Sequence, residues 1–400
     1  MIERVLAFVR GRLWLWELSG LAWLLLLPYI MTAHGHLDWS GHALGRDFVN
    51  YWTAGQLVRE GHALVVFGMD SFLAAEHRLF DPALPFHFWS YPPTGLLPVA
   101  PLGLLPYVPA LILWSIGGLV LLTPAARAFL PQPRDWVLVV LSPAAAINVG
   151  LGQNGAITAA LLIGGLALWR TRPIIAGALL GLLIFKPQIA ILLPIAVIAE
   201  RRWPTLIAAA GSALAMCLLS LGLFGVQSWI AFFHFTVPLQ EAMLSRGTGP
   251  FQWMMASTFM TGRLWGLPDV VAMTVQAPVT LWAAWLTWLG CRSDAPWERK
   301  AALVMTATFV ASPQGFNYDL IPAAAAALVL WRAYEGAIPR SAALAVWALP
   351  VFLIAAEAAH IAIAPLVLGG ATWLLYRLCV PANPTLAASA STVGEAASNT

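Results

Sequence analysis

An all-helical protein threaded many times through a membrane is the fold class that the sequence predicts, and three observations carry the prediction. The 400 residues are 60% hydrophobic and only 10% charged, with a mean hydropathy of +0.78, so apolar surface far exceeds what one water-soluble core could hide. Apolar runs long enough to cross a bilayer, wholly or in part, follow one another along most of the chain. Its 20 tryptophans suit a bilayer interface, where an amphipathic ring sits half wet. The net charge of +3 is small and scattered, which argues against a nucleic-acid partner. Cys217, Cys291 and Cys379 lie in or at the ends of apolar runs without paired spacing, so neither a disulfide framework nor a zinc site is indicated.

In chain order, MIERVLAFVRGR places basic residues before a long apolar run and offers no small-residue cleavage site, which predicts a retained signal-anchor helix. Apolar runs fall at 12–33, 91–123, 136–150, 156–169, 173–185, 187–199, 204–224, 268–290, 300–312, 319–334, 341–357 and 359–376. Several are shorter than the roughly 17–25 residues a straight crossing needs, so some are expected to be half-helices, and the count is about twelve crossings within a range of ten to thirteen. Residues 1–380 make one transmembrane domain, with a first outer loop at 34–90 carrying short helices and a second at 225–267. The tail 381–400 is rich in Ala, Ser and Thr and lacks aromatics, which predicts a disordered cytoplasmic end. Glycine pairs at Gly117-Gly118, Gly164-Gly165 and Gly369-Gly370 lie in apolar runs, where close helix packing is their expected use.

Sidedness follows from the basic residues. With the N-terminus inside, Arg4, Arg10, Arg12, Arg127, Arg134, Arg170, Arg172, Arg201, Arg202, Arg292, Arg299, Lys300, Arg332, Arg340 and Arg377 fall on the cytoplasmic side, which is fifteen of the 21. Only Arg46, Arg59, Arg78, Lys186, Arg246 and Arg263 fall outside, over longer loops, as the positive-inside rule requires. Both ends are then cytoplasmic, and all eight histidines, Asp47, Lys186 and Asp319 lie on or near the outer face. No GxxxxGK[ST] is present, which disfavours an ATP-driven pump.

Five outer-face stretches could carry chemistry. In GRDFVNYWTAG a helix over 46–58 would put Asp47, Asn50 and Tyr51 on one face and Phe48 and Trp52 on another. Asp47 could equally cap that helix or pair with Arg46. Tyr91-Pro92-Pro93 opens the second apolar run, where proline is at home in a first helical turn. GLGQNGA supplies Gln153 and Asn154, and FKPQ supplies Lys186 and Gln188. A lysine at membrane depth either meets an anion such as a lipid phosphate or snorkels to the interface. SPQGFNYDLIP brings Gln314, Asn317 and Asp319 to a late outer turn, where Asp319 could serve as a helix cap.

Taken in order and on one side, these pieces resemble glycosyltransferase family 87, the polytopic mannosyltransferases that use polyprenyl-phosphate-mannose. The matching pieces are DFVNYWTAGQLVREG, YPPTGLLPVAPLGLLP, GLGQNGAITAALL, AGALLGLLIFKPQIAILLP followed by RRW, and SPQGFNYDL, over roughly residues 44–325. The resemblance implies a GT-C architecture, a transmembrane helix bundle with an outer-face cavity, in a bacterial inner membrane. It also implies a carboxylate in the first outer loop as general base, here Asp47. Characterised relatives often present a histidine in the late turn; this chain offers Gln314, Asn317 and Asp319 there instead.

The implied reaction is sugar transfer with inversion, from a polyprenyl-phosphate-sugar donor, a hexose such as mannose, to a lipid or glycan acceptor. Asp47 would take the acceptor's proton, while Lys186, with Arg263 or Arg46, would neutralise the departing phosphate. Tyr51, Trp52, Tyr91, Gln153, Asn154, Gln188, Asn317 and Asp319 would contact sugar or acceptor. The chemistry calls for no cofactor and no metal. A flippase for lipid-linked sugars is the competing expectation, but residues 1–200 and 201–376 show no similarity of the kind transporter halves often keep.

Overall fold

A computed structural model describes residues 13–247, 249–334 and 336–380. The basic N-terminal segment that anchors the signal-anchor expectation, and the tail 381–400, lie outside the described residues. Those described are helical throughout, with isolated bridges at His34, Leu37, Ala43, Met255 and Phe316 as the only extended pairing. Among the described residues, four helices are long and apolar enough to cross a membrane: Tyr107–Phe129, Trp203–Arg246, Asp269–Arg292 and Ile338–Ala358. Seven shorter apolar helical stretches accompany them, in keeping with the half-helices the run lengths predicted.

Proline sets many of the breaks. The run 91–123 forms the short turns Pro93–Gly95, Leu96–Val99 and Ala100–Leu104 before the long helix Tyr107–Phe129 begins. Pro92, Pro93, Pro98, Pro101 and Pro106 each remove a backbone N–H, so a continuous ladder cannot form until the last of them is passed. Gly55 on the Phe48–Arg59 helix and Gly103 in the last short turn touch backbone to backbone: a Cβ on Gly103 would stand 2.2 Å from the Gly55 carbonyl oxygen. Helix Trp203–Ala231 passes a non-helical Gly225 (φ 76°, ψ 163°), relaxes into a π-turn over Phe232–Thr236 ahead of Pro238, and resumes as Val237–Arg246. Helix therefore occupies the first half of 225–267, where the polarity of the sequence suggested loop. Of the glycine pairs, Gly118, Gly164 and Gly165 do press against neighbouring side chains, whereas Gly117, Gly369 and Gly370 face open space.

Two helices form the centre. Trp297–Ala311 is buried from Lys300 onward and Ile321–Ala333 is buried from Ile321 through Trp331. Ion pairs sit at both ends of these helices. Asp319, just before Ile321, pairs with Lys186 at 2.6 Å. Arg332, in the last turn of the same helix, pairs with Asp135 and with Glu298, and Lys300 nearby meets Glu200 at 2.6 Å. Thirteen residues at about 1.5 Å each separate the two ionic layers by about 20 Å, and the helices between them expose almost nothing.

Candidate active site

The Lys186 end of the bundle is assembled around a single glycine-rich turn. Gly152 has φ 59°, and a Cβ there would lie 2.5 Å from Phe48 Cβ and 2.6 Å from the Gly45 carbonyl oxygen. Only glycine combines that left-handed backbone with so close an approach, and it seats the turn on the segment that carries Asp47. Three residues on, a Cβ at Gly155 would stand 2.3 Å from the Tyr318 carbonyl oxygen, so the same turn also abuts the segment that carries Asp319. Asn148 staples it: Nδ2 donates to the Gln153 carbonyl and Oδ1 accepts from Ala156 N–H, both at 2.7 Å.

Asp47 is reached through Gly45 (φ 74°) and Arg46 (φ 41°) and immediately precedes helix Phe48–Arg59. Its carboxylate makes no capping bond to that helix; Oδ2 instead accepts from Gln153 Nε2 at 2.7 Å. Arg46 is held by Asp38, at 2.7 Å. Capping therefore does not account for the placement of Asp47, and the ion pair of Arg46 is with Asp38 while its charge also acts on Asp47.

Lys186 occupies the break between the turns Leu182–Phe185 and Pro187–Ala190. Its ammonium donates to Asp319 Oδ1 at 2.6 Å and Asn154 Oδ1 at 2.9 Å and lies 5.1 Å from the centre of the Tyr318 ring. Tyr51 donates to Gln153 Oε1 at 2.7 Å, accepts from Asn154 Nδ2 at 3.2 Å, and is 2.7 Å from the Tyr91 hydroxyl.

A cavity of about 610 Å³ opens over these groups. Asp47, Tyr51, Tyr91, Gln153, Lys186 and Gln188 line one part, with Asn50, His87 and Gln314. The same lining carries apolar and aromatic side chains, among them Phe86, Phe88, Trp229, Phe232, Met243 and Phe251. Burial raises the Asp47 carboxyl above the usual carboxylate range, opposed by the Gln153 hydrogen bond and by the charges of His87 and Arg46. Burial lowers His87, which the charge of Asp47 partly offsets. Glu76, on the adjoining helix Met69–Leu79, is pushed up to about 8 by burial and by the nearby Asp47.

Of the residues expected at a site, six line this cavity, and Asn154 and Asp319 stand behind Lys186 in its hydrogen-bond shell. Four do not join them. Trp52 faces the other way, donating Nε1 to the Leu105 carbonyl at 2.9 Å and packing on Tyr107. Asn317 holds its own turn, bonded to the Pro350 carbonyl and the Tyr318 N–H. Arg46 is tied to Asp38, and Arg263 to Asp269 at 2.8 Å and to the Leu267 and Ser245 carbonyls. Neither arginine is among the residues that line the cavity. Sequence reading passed over His87, although it stands four residues before Tyr91, and it missed the aromatic wall at 229–251, which lacks a polar motif.

Residues 89–313 match glycosyltransferase family 87. No curated protein and no solved structure matches the chain. The matched segment is more than half of the chain and contains Tyr91, the Gly152–Asn154 turn and Lys186; Asp319 lies shortly after it and Asp47 well before it, each bonded to a residue within it. The chain belongs to glycosyltransferase family 87.

Proposed function

We propose that this family 87 glycosyltransferase moves a hexose such as mannose from a polyprenyl-phosphate-sugar donor to a lipid or glycan acceptor. Transfer takes place at the outer face of a bacterial inner membrane and inverts the anomeric centre. The observation that carries the reading is one cavity whose lining holds two chemistries: a half-buried carboxylate with amides and phenols, and a set of aromatic and aliphatic side chains. A sugar phosphate fits the first and an isoprenoid chain the second.

In this reading the acceptor hydroxyl gives its proton to Asp47 as it attacks the anomeric carbon, and the bond to the phosphate oxygen breaks on the opposite face. The leaving phosphate is already anionic and needs little protonation. Gln188, Gln314 and the N–H that Lys186 does not spend on Asp319 or Asn154 receive it in this reading, which their position in the cavity lining supports. The charge of Lys186 is met by Asp319, so its part in phosphate binding is directional more than coulombic. Tyr91 and Asn50, which also line the cavity, would meet sugar hydroxyls.

Membranes containing the protein, incubated with radiolabelled polyprenyl-phosphate-mannose and other polyprenyl-phosphate hexoses, should transfer label to endogenous lipid or glycan. Label that crosses the membrane still attached to its polyprenyl carrier, with no transfer, would replace this reading with the flippase.

A further inference from the structure

We infer that Tyr51 and Gln153 are positioning residues: with Asn154 they form a one-way line of hydrogen-bond donors that starts on the Lys186–Asp319 ion pair and ends on the Asp47 carboxylate. The line keeps that carboxylate ionised and aimed at the cavity. Its members come from four separate segments, namely helix Phe48–Arg59, the Gly152–Asn154 turn, the break at Lys186 and the turn at Asp319. All but Asp47 are buried, Gln153 at 7% exposure and the rest at 2% or less.

The direction is fixed by its two ends. An ammonium can only donate, so Asn154 must turn its oxygen to Lys186 and its NH₂ to Tyr51. An ionised carboxylate can only accept, so Gln153 must turn its NH₂ to Asp47 and its oxygen to Tyr51. Tyr51 sits between an amide nitrogen and an amide oxygen, and its single proton goes to Gln153 Oε1. The steps are 2.9, 3.2, 2.7 and 2.7 Å. Tyr91 is left to donate its own proton to Tyr51, at 2.7 Å.

Every N–H and O–H dipole in the line therefore points its positive end toward Asp47. Donors in series polarise one another, by roughly 10–30% per bond, and a bond ending on a charged oxygen is about twice as strong as one between neutral groups. Both effects favour the anion over the acid, against the burial that favours the acid. No proton needs to travel the line. Its work is to hold charge and angle at one end by anchoring the other in a buried ion pair.

Other groups also act on Asp47: Arg46 beside it, His87 from the stretch before Tyr91, Glu76 from helix Met69–Leu79, and the phenol of Tyr318. The experiment must leave these in place. Tyr51→Phe does so, keeping the ring that packs edge-on against Phe48 and Trp89 and removing one oxygen. Gln153→Met, similar in length but without donor or acceptor, is the second variant should the first fold poorly.

The consequence for rate rests on Asp47 being the base, so two readouts are needed. The first is infrared titration of purified protein without substrate, with the Asp47 carboxyl assigned by its loss in Asp47→Asn. Either variant should move that titration up by about one pH unit, equivalent to a tenfold change in proton affinity. The second is the pH profile of transfer from radiolabelled polyprenyl-phosphate-mannose: the acid limb should move up by the same amount, with activity recovered at higher pH. An unmoved carboxyl titration in a folded variant overturns the inference whatever happens to the rate. A moved titration with an unmoved acid limb upholds the line and removes Asp47 as the base.

Discussion

Asp47→Asn separates charge from shape at the candidate base. The carboxylate makes no capping bond to helix Phe48–Arg59, and an asparagine oxygen can still accept from Gln153 Nε2, so the site and its donor line should persist. Removing a charge that burial already disfavours should leave stability equal or slightly higher. What is lost is the capacity to take the acceptor's proton, which costs about two to four orders of magnitude in rate, or about 2.7–5.4 kcal/mol at 1.36 kcal/mol per tenfold. His87 lines the same cavity, and burial lowers its proton affinity, so it is available as a substitute acceptor. The single variant should therefore fall toward the lower end, by about 10²–10³, and Asp47→Asn/His87→Phe should fall by a further tenfold or more. Single-turnover transfer from radiolabelled polyprenyl-phosphate-mannose by purified protein, with thermal unfolding as the fold control, measures both. A folded Asp47→Asn within about tenfold of wild type refutes the assignment.

Glu76→Gln should stabilise the protein in alkali: the folded carboxyl is raised from 4.5 to about 8, so wild-type stability is full below about 4.5, declines as pH rises, and levels off above about 8. The difference in unfolding temperature between variant and wild type should widen across that window, and a constant difference would contradict it. Trp52→Phe should lose the bond to the Leu105 carbonyl, about 1 kcal/mol, while keeping transfer and donor affinity; weakened donor binding in a titration would return Trp52 to the site. Gly155→Ala must displace the Tyr318 carbonyl, which its Cβ would approach to 2.3 Å, at about 1–3 kcal/mol, and it should lower donor binding as well as unfolding temperature; a fully active, fully stable variant would deny the turn its seating role. Reporter fusions after Gly68 and Gly247 should report the outside and one after Ser293 the cytoplasm, and reversal at either outer position would undo the shared face of Asp47, Lys186 and Asp319.

Where the sequence was informative, the cause was local. Helix Phe48–Arg59 was expected within two residues of its ends because three- and four-residue spacing sorts Asp47 and Tyr51 from Trp52, and the structure does turn those two faces apart. Trp52 nevertheless lies off the cavity, since spacing tells which residues share a face but not which face meets the cavity. Lys186 and Asp319 were singled out as charges at depth, yet their mutual bond joins residues 133 apart in sequence, a pairing that no local rule could supply. The aromatic lining was illegible for another reason: Trp229 and Phe232 share a helical face by their three-residue spacing, but spacing does not show that this face meets the cavity, and Phe251 reaches it from a separate short helix.

The two ionic layers bear on the choice between an enzyme and a carrier of lipid-linked sugars. A carrier must open its site to both sides in turn, which requires the elements beneath the site to part. Beneath Lys186 and Asp319 run Trp297–Ala311 and Ile321–Ala333, buried along nearly their whole lengths and packed with alanine, leucine and valine. Their far ends are tied by Arg332 to Asp135 and Glu298 and by Lys300 to Glu200. Parting them would strip a dry core and leave charges from at least one buried pair without partners, and breaking one such pair alone costs about 3–5 kcal/mol. The same rigidity suits a base whose carboxylate is aimed through a line of hydrogen bonds anchored at the top of that core, because a reacting group displaced by about an ångström can lose a hundredfold in rate.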